Sequence, residues 1–143
     1  VFENIASKIF FLGQSGVAHS VKLAMNLQIT MLALALSEGI TFVQKADVDP
    51  KVFLEILNST YFKTGMSEKK AYKMIESKYY NTFTLSNLKK DINIITNAAK
   101  SLGIELPMIK KAEELYENAI KEGFGKIDYT GIIEYIKKIN ESK

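Results

Sequence analysis

The sequence predicts an all-α protein, built as a helical bundle around one long central helix. Residues 16–45 carry apolar side chains in every turn for about 30 residues, which is typical of a single long helix. A second apolar stripe recurs at the three- and four-residue spacing of one helix face, at Leu85, Leu88, Ile92, Ile95 and Ala99. Residues typical of helix starts and helix ends flank most of the remaining segments, so helices should account for nearly the whole chain.

The central helix sets the scale of the predicted fold. A helix over residues 16–45 is about 45 Å long, whereas a compact chain of this size has a radius of gyration of about 14–15 Å. The helix must therefore run through or beyond the whole body. Because it is apolar nearly all round, we expect it to be buried.

Two shorter helices should follow the central one. Asp49 before Pro50 is an N-cap with proline at the first helical position, which predicts a helix from Pro50 to about Leu57. Residues 67–77 are predicted as the next helix.

The second half of the chain predicts three more helices. The helix that carries the apolar stripe should end at Gly103, and the next should run from about Pro107 to about Gly123. Asp128 or Thr130 should cap the last one.

Residues 8–12 are the exception to the helical pattern. They are rich in large apolar residues and precede Gly13, so they are predicted as a short β-strand. A lone strand in a helical protein has no partner. Either the segment is not a strand, or its sheet lies elsewhere.

Composition narrows the classes of function. The 143 residues are 47% hydrophobic and 24% charged, with a formal net charge of +3, which fits one globular domain and neither requires nor excludes nucleic acid. With no cysteine and one histidine, disulfides are excluded and no metal site is expected. The lack of cysteine also fits a reducing cytoplasm.

Neither a membrane nor a nucleic acid is expected as a partner. The longest strictly apolar run, residues 31–36, is far shorter than the 18–20 residues or so that a membrane span needs. Residues 69–73 and 78–80 mix lysine and tyrosine, as binders of single-stranded RNA do. Solvated faces of amphipathic helices have the same composition, and we favour that interpretation.

Lys22 and Asn26 lie four residues apart within the apolar segment, so they share one helix face. Two interpretations stay open. In one, Lys22 reaches back to water and Asn26 bonds a neighbouring loop. In the other, the pair lines a pocket in which Lys22 moves a proton to or from a substrate oxygen. The backbone amides after Gly16 could then bind a carboxylate at the helix start.

Residues 13–26, GQSGVAHSVKLAMN, resemble the G-x-x-G-x-[GA]-x-x-x-K-x-x-x-N signature of the β-hydroxyacid dehydrogenases. This family includes 3-hydroxyisobutyrate dehydrogenase, tartronate semialdehyde reductase and the glyoxylate/succinic semialdehyde reductases. Residues 33–39 fit the small-and-acidic stretch that follows in the family, and residues 46–50 fit its helix break.

The resemblance continues to the end of the chain. Phe83, followed by Lys90 and Asp91, fits the second family signature, a phenylalanine before a K-D pair. Residues 125–133 resemble the D-[YS]-[ST]-[AG]-[IL] tail. Three signatures at family spacing are specific, whereas one would be weak.

The family has an amino-terminal Rossmann domain and a helical carboxy-terminal domain, and this chain resembles the second. The fold implied is that of the 6-phosphogluconate dehydrogenase carboxy-terminal domain. Residues 1–13 would then be the tail of a missing Rossmann domain, and residues 14–143 the substrate-binding and dimerisation domain. No G-x-G-x-x-G loop follows a strand in this chain, so NAD or NADP would be bound mainly by the missing half.

The resemblance also implies roles for particular residues. Lys22 would be the catalytic general acid and base, while Asn26 and Gly16 would contribute to substrate binding. Phe83, Lys90 and Asp91 would lie against the cofactor, which is expected to exchange a hydride with a small 3-hydroxy acid or its semialdehyde.

The full-length protein would be a homodimer or larger, because one small domain cannot cover all of the long apolar helix. The chain by itself should be inactive. The alternative is a helical interaction or oligomerisation module without chemistry, in which Lys22 and Asn26 face solvent and are dispensable.

Overall fold

The structure is a computed structural model that describes residues 7–80 and 83–141, and all regular structure in these ranges is helical. The helices are α1 (Val17–Lys45), α2 (Pro50–Asn58), α3 (Gly65–Lys69), α4 (Ala71–Ile75), α5 (Leu85–Ser101), α6 (Pro107–Lys121) and α7 (Ile132–Glu141). Two short 3₁₀ turns, Phe124–Lys126 and Tyr129–Gly131, connect α6 to α7. The predicted all-α class is confirmed.

The predicted helix boundaries mostly hold, because local chemistry defines them. The Asp49 carboxylate accepts the Lys51 N–H at 2.8 Å and Pro50 opens α2. Gly103 and Gly123 follow α5 and α6 with φ of +68° and +95°. Glycine adopts this left-handed conformation without steric cost, so both helices end there.

The core lies where α5, α6 and α7 pack around the second half of α1. The predicted stripe on α5 is its buried face, and Leu88 and Ile92 are fully buried. Ile40 of α1 and Ile133 of α7 are fully buried as well. At about 25 cal/mol per Å² of apolar area, side chains of this kind are the main stabilising component of the domain.

The domain buries α1 over its second half and leaves most of its first half exposed. Leu23 is the one buried position before Thr30, whereas Val17, Val21 and Met25 are exposed. The described part of the chain has too few elements to surround a helix about 43 Å long. Only the second half of α1 is therefore central.

The predicted helix over residues 67–77 is two helices rather than one. Thr64 and Ser67 form a reciprocal capping box, so α3 begins at Gly65, before the predicted start. Lys70, at φ −118°, separates α3 from α4, and its ammonium pairs with Asp128.

The predicted strand over residues 8–12 does not form either. Its backbone pairs with no other segment in the described chain, and Phe10 and Phe11 are exposed. A strand is stable only when a neighbour takes up its backbone hydrogen bonds, and here none does.

By length and composition alone, α1 would also cross a lipid bilayer. This is weak evidence, because the core helix of a water-soluble protein passes the same test. In this structure one face of α1 packs on α5 and α7.

Two tyrosines lie close together between α6 and α7. The Tyr116 side chain is fully buried, and its hydroxyl points at the Tyr129 carbonyl oxygen, 3.5 Å away. Burial raises the pKa of Tyr116 well above its ordinary value. Burial, together with the nearby Asp128 carboxylate, raises the pKa of Tyr129 to about 12.

These shifts predict a loss of stability in alkali. An unfolded tyrosine ionises near pH 10, below the folded-state pKa, so stability is complete below about pH 10 and is lost as pH rises toward 12. We expect the free energy of unfolding, measured by urea titration from pH 8 to 12, to fall less steeply in Tyr129→Phe. The exposed Tyr61 gives the control Tyr61→Phe, which should follow the wild type. Equal slopes in all three proteins would contradict the assignment.

Candidate active site

Lys22 and Asn26 lie one turn apart on the exposed half of α1. The Lys22 side chain is exposed and makes no hydrogen bond or ion pair with any residue in the described ranges. Its ammonium is therefore available to a ligand.

Asn26 is half-buried and joins α1 to α5. Its Nδ2 donates a hydrogen bond to Oδ2 of Asp91 at 2.9 Å, and its backbone carbonyl accepts from the Thr30 hydroxyl at 2.8 Å. The bond to Asp91 is charge-assisted, which makes it stronger than one between neutral groups. It fixes the Asn26 amide and leaves Oδ1 and the second N–H for other partners.

Two of the three residues assigned to the cofactor wall lie on α5, and the third, Phe83, lies just before it. Asp91 contacts Asn26, and the adjacent Lys90 is exposed. Phe83 precedes the Thr84 N-cap, about two turns before Asp91, and packs its ring edge-on against Tyr129 with centroids 5.8 Å apart. The structure thus brings Asn26 and Asp91 into contact and leaves Phe83 outside α5, before the N-cap of that helix.

Gly16 is the N-cap of α1 and has a φ of +99°, a conformation that a side chain would strain. The N–H groups of His19 and Ser20 donate to its carbonyl oxygen. No side chain caps this helix end. The Val17 N–H donates to the Gln14 carbonyl oxygen at 3.3 Å, so the Ala18 N–H is the first-turn amide left for an anion at the positive end of the helix dipole.

An apolar groove lies on the exposed half of α1, and Lys22 is not among the residues that line it. Its volume is about 230 Å³, and it lies between residues 20–27 of α1 and residues 95–106 of α5 and the loop that follows. Val21 and Met25 are exposed on the same half of α1. This part of the domain surface is covered by nothing in the described chain.

The sequence did not reveal a second polar cluster, around the buried carboxylate of Asp128. Asp128 accepts from the Thr130 hydroxyl at 2.7 Å and from the Thr130 N–H at 3.1 Å, and pairs with Lys70 at 3.2 Å. Asp128, one of the two predicted caps of the last helix, caps the 3₁₀ turn Tyr129–Gly131 that precedes α7 instead. Lys70, which lies 58 residues earlier in the chain, could be identified only from the fold.

The family model described as NAD-binding of NADP-dependent 3-hydroxyisobutyrate dehydrogenase matches residues 16–136. This range holds residues 16–26 of the first predicted signature, the other two signatures in full, and the contact between α1 and α5. The chain belongs to the β-hydroxyacid dehydrogenase family.

Two curated relatives and one solved structure illustrate the similarity to other β-hydroxyacid dehydrogenases. The chain is 30% identical over 128 residues to glyoxylate/succinic semialdehyde reductase 2, chloroplastic, of Arabidopsis thaliana, covering 90% of this chain and 36% of that protein. It is also 30% identical over 139 residues to the uncharacterized oxidoreductase YfjR of Bacillus subtilis, covering 96% of this chain and 48% of that one. The structure of 3-hydroxyisobutyrate dehydrogenase from Salmonella typhimurium superposes with a TM-score of 0.87 at 20% identity, over 92% of this chain and 47% of the other.

The fold and the family are therefore established together. Within its family, the chain spans about half of the relatives' length or less. At 20% identity the solved structure supports the fold, while the family model supports the membership.

The Asn26–Asp91 hydrogen bond predicts a loss of stability in Asp91→Ala. Removing a partly buried charged acceptor should lower the free energy of unfolding by about 1.5–3 kcal/mol. Asp91→Asn keeps an acceptor oxygen and should recover part of the loss. Asn97→Ala changes an exposed residue on the same helix and serves as the control in urea unfolding. If Asp91→Ala were as stable as the control, the bond would not hold α1 to α5.

Proposed function

We propose that this chain is the helical half of an NAD(P)-dependent dehydrogenase that interconverts a small 3-hydroxy acid and its semialdehyde. The observation that carries the proposal is the hydrogen bond between Asn26 and Asp91. Asn26 belongs to the first family signature and Asp91 to the second. Lys22 extends from the same face of α1, one turn before this contact. A set of unrelated surface residues would have no reason to meet in this way.

In this proposal Lys22 moves the proton. Its ammonium protonates the carbonyl oxygen when the semialdehyde is reduced, and the neutral amine accepts the hydroxyl proton in the reverse direction. The absence of a carboxylate partner among the described residues supports this role, because an ion pair would compete with the substrate for the ammonium.

Asn26 and the start of α1 orient the substrate. The amide that Asp91 fixes still offers Oδ1 and one N–H to the reacting oxygen. The open helix start at Gly16 suits the carboxylate of a small acid. Asn26 would hold the reacting oxygen close to Lys22, as proton transfer requires.

The bound nicotinamide cofactor supplies or accepts the hydride. The described residues include no strand, glycine loop and helix of the kind that cradles a dinucleotide. They fit only one end of the cofactor, with Lys90 exposed to meet it and Phe83 and Asp91 forming part of the wall. In this proposal residues 1–13 would connect the chain to the domain that binds the rest of the cofactor.

Replacement of Lys22 tests the proposal. The longer polypeptide that joins this chain to a nucleotide-binding domain should oxidise NADH or NADPH with a small semialdehyde, followed by nicotinamide absorbance. Lys22→Met should lower turnover by about 10²- to 10⁴-fold, the usual contribution of a general acid, with cofactor binding retained. Lys100→Met removes an exposed lysine from α5 and should leave turnover unchanged.

Two results would reject the proposed chemistry: a Lys22→Met protein as active as the wild type, or no turnover with any 3-hydroxy acid or semialdehyde. Either would favour the alternative, a helical oligomerisation module. The exposure of Lys22 fits that alternative as well, whereas the half-buried, bonded Asn26 does not. The 143-residue chain alone should be inactive, because it offers only one end of a cofactor site.

We also infer that the exposed half of α1 is an interface between two copies of the chain. Val17, Val21 and Met25 are exposed beside the apolar groove that α1 forms with α5. Exposed apolar residues clustered on one half of a helix often mark a protein–protein interface. The second copy therefore covers the part of α1 that its own domain leaves bare.

Light scattering tests this interface. At micromolar concentration the chain should be a dimer or larger, and Val21→Lys should produce monomers because it buries a charge in the contact. Ile139→Lys, at an exposed apolar position on α7, should leave the assembly intact. A wild-type chain that is monomeric at this concentration would contradict the interface.

A further inference from the structure

Two lysine- and tyrosine-rich segments, residues 69–73 and 78–80, fold around one cleft. The cleft has a volume of about 150 Å³. Its walls include three lysines, two aromatic rings and one carboxylate: Lys70, Lys73, Lys78, Tyr79, Tyr80 and Asp128. What looked like two separate solvated faces in the sequence is a single concave, basic surface.

The charges in this cleft do not balance. Lys70 pairs with the buried Asp128 at 3.2 Å, and Lys78 pairs with Glu76 at 2.9 Å. Lys73 has no carboxylate partner in the described chain, and its ammonium lies 4.8 Å from the centre of the Tyr80 ring. The cleft therefore has an uncompensated positive charge beside two lysines whose ammonium groups have donor capacity to spare.

Two parts of the cleft wall, at Tyr79 and at Lys70, are held in place before any ligand arrives. The Tyr79 hydroxyl and the Ser77 hydroxyl both donate to Glu134 of α7, at 2.5 and 2.8 Å. On the other side, Lys70 is fixed by Asp128 and lies 4.3 Å from the centre of the Tyr129 ring. These groups need little reordering on binding, whereas the exposed side chains of Lys73 and Lys78 lose conformational freedom when they bind a ligand.

The donors favour a phosphate group over a carboxylate. Three lysine ammonium groups line the cleft. A phosphate group carries a charge of about −1.5 to −2 and three strong acceptor oxygens, whereas a carboxylate carries a single charge and two oxygens. The faces of Tyr79 and Tyr80 offer apolar surface next to the ammonium groups. We propose that this cleft binds the phosphate group of a small phosphorylated molecule.

The site is independent of the proposed dehydrogenase chemistry. None of Lys22, Asn26 and Asp91 lines the cleft. Loss of phosphate binding would leave the proposed reaction untouched, and failure of that reaction would leave this site untouched.

A phosphate titration of the 143-residue chain tests the site. Inorganic phosphate is added at constant ionic strength and followed by amide ¹H–¹⁵N shifts. Saturable shifts should be confined to the cleft, around Lys73 and residues 78–80. Lys73→Gln should weaken binding about tenfold, the usual cost of one charge-assisted hydrogen bond. Lys121→Gln removes an exposed lysine of α6 and should bind as the wild type does.

The same titration identifies the source of the phosphate and can overturn the proposal. If glycerol phosphate binds at least as tightly as inorganic phosphate, the ligand is a phosphate ester; if only inorganic phosphate saturates, it is the free anion. Shifts that do not saturate, that acetate reproduces at equal concentration, or that Lys73→Gln leaves unchanged would each reject the site.

Discussion

The packing of the second half of α1 against α5 and α7 is the contact on which the rest of the structure depends. It buries Ile40, Leu88 and Ile133 together in one core. The direction of α5 along α1 then decides which of its residues meet the first half of α1, and Asp91 reaches Asn26. The packing of the core thus determines the position of the proposed catalytic face, which begins one helical turn before the buried half of α1.

The same core also positions the basic cleft. Tyr116 and Tyr129 fill the space between α6 and α7, and Tyr129 contacts Phe83 at the start of α5. Backbone hydrogen bonds join Leu85 to Ile127 and Tyr129 to Phe83, both at 2.9 Å. The segment that leads into α7 therefore lies beside the start of α5. The two proposed ligand sites therefore both lie next to α5. The site at Asn26 and Asp91 is near the middle of this helix, and the basic cleft is near its start.

Much of this fold could be predicted from the sequence because its determinants are local. The Asp49–Pro50 cap, the stripe on α5 and the glycines after α5 and α6 each act within one or two turns. Contacts between distant residues were harder to predict. Lys70 and Asp128, for example, are far apart in the chain, and no spacing rule connects them. The break at Lys70 and the exposure of Val21 depend on which elements pack where. The site residues were named by resemblance, and what the fold adds is the contact between two of them.

The division of α1 into a bare half and a packed half places Lys22 outside the core. Residues near Lys22 gain order from whatever covers them, because their own domain supplies few neighbours. The geometry around the lysine is then completed only when the covering surface arrives. Activity would in that case require assembly, because the Lys22 side chain of an unassembled chain would have no defined surroundings.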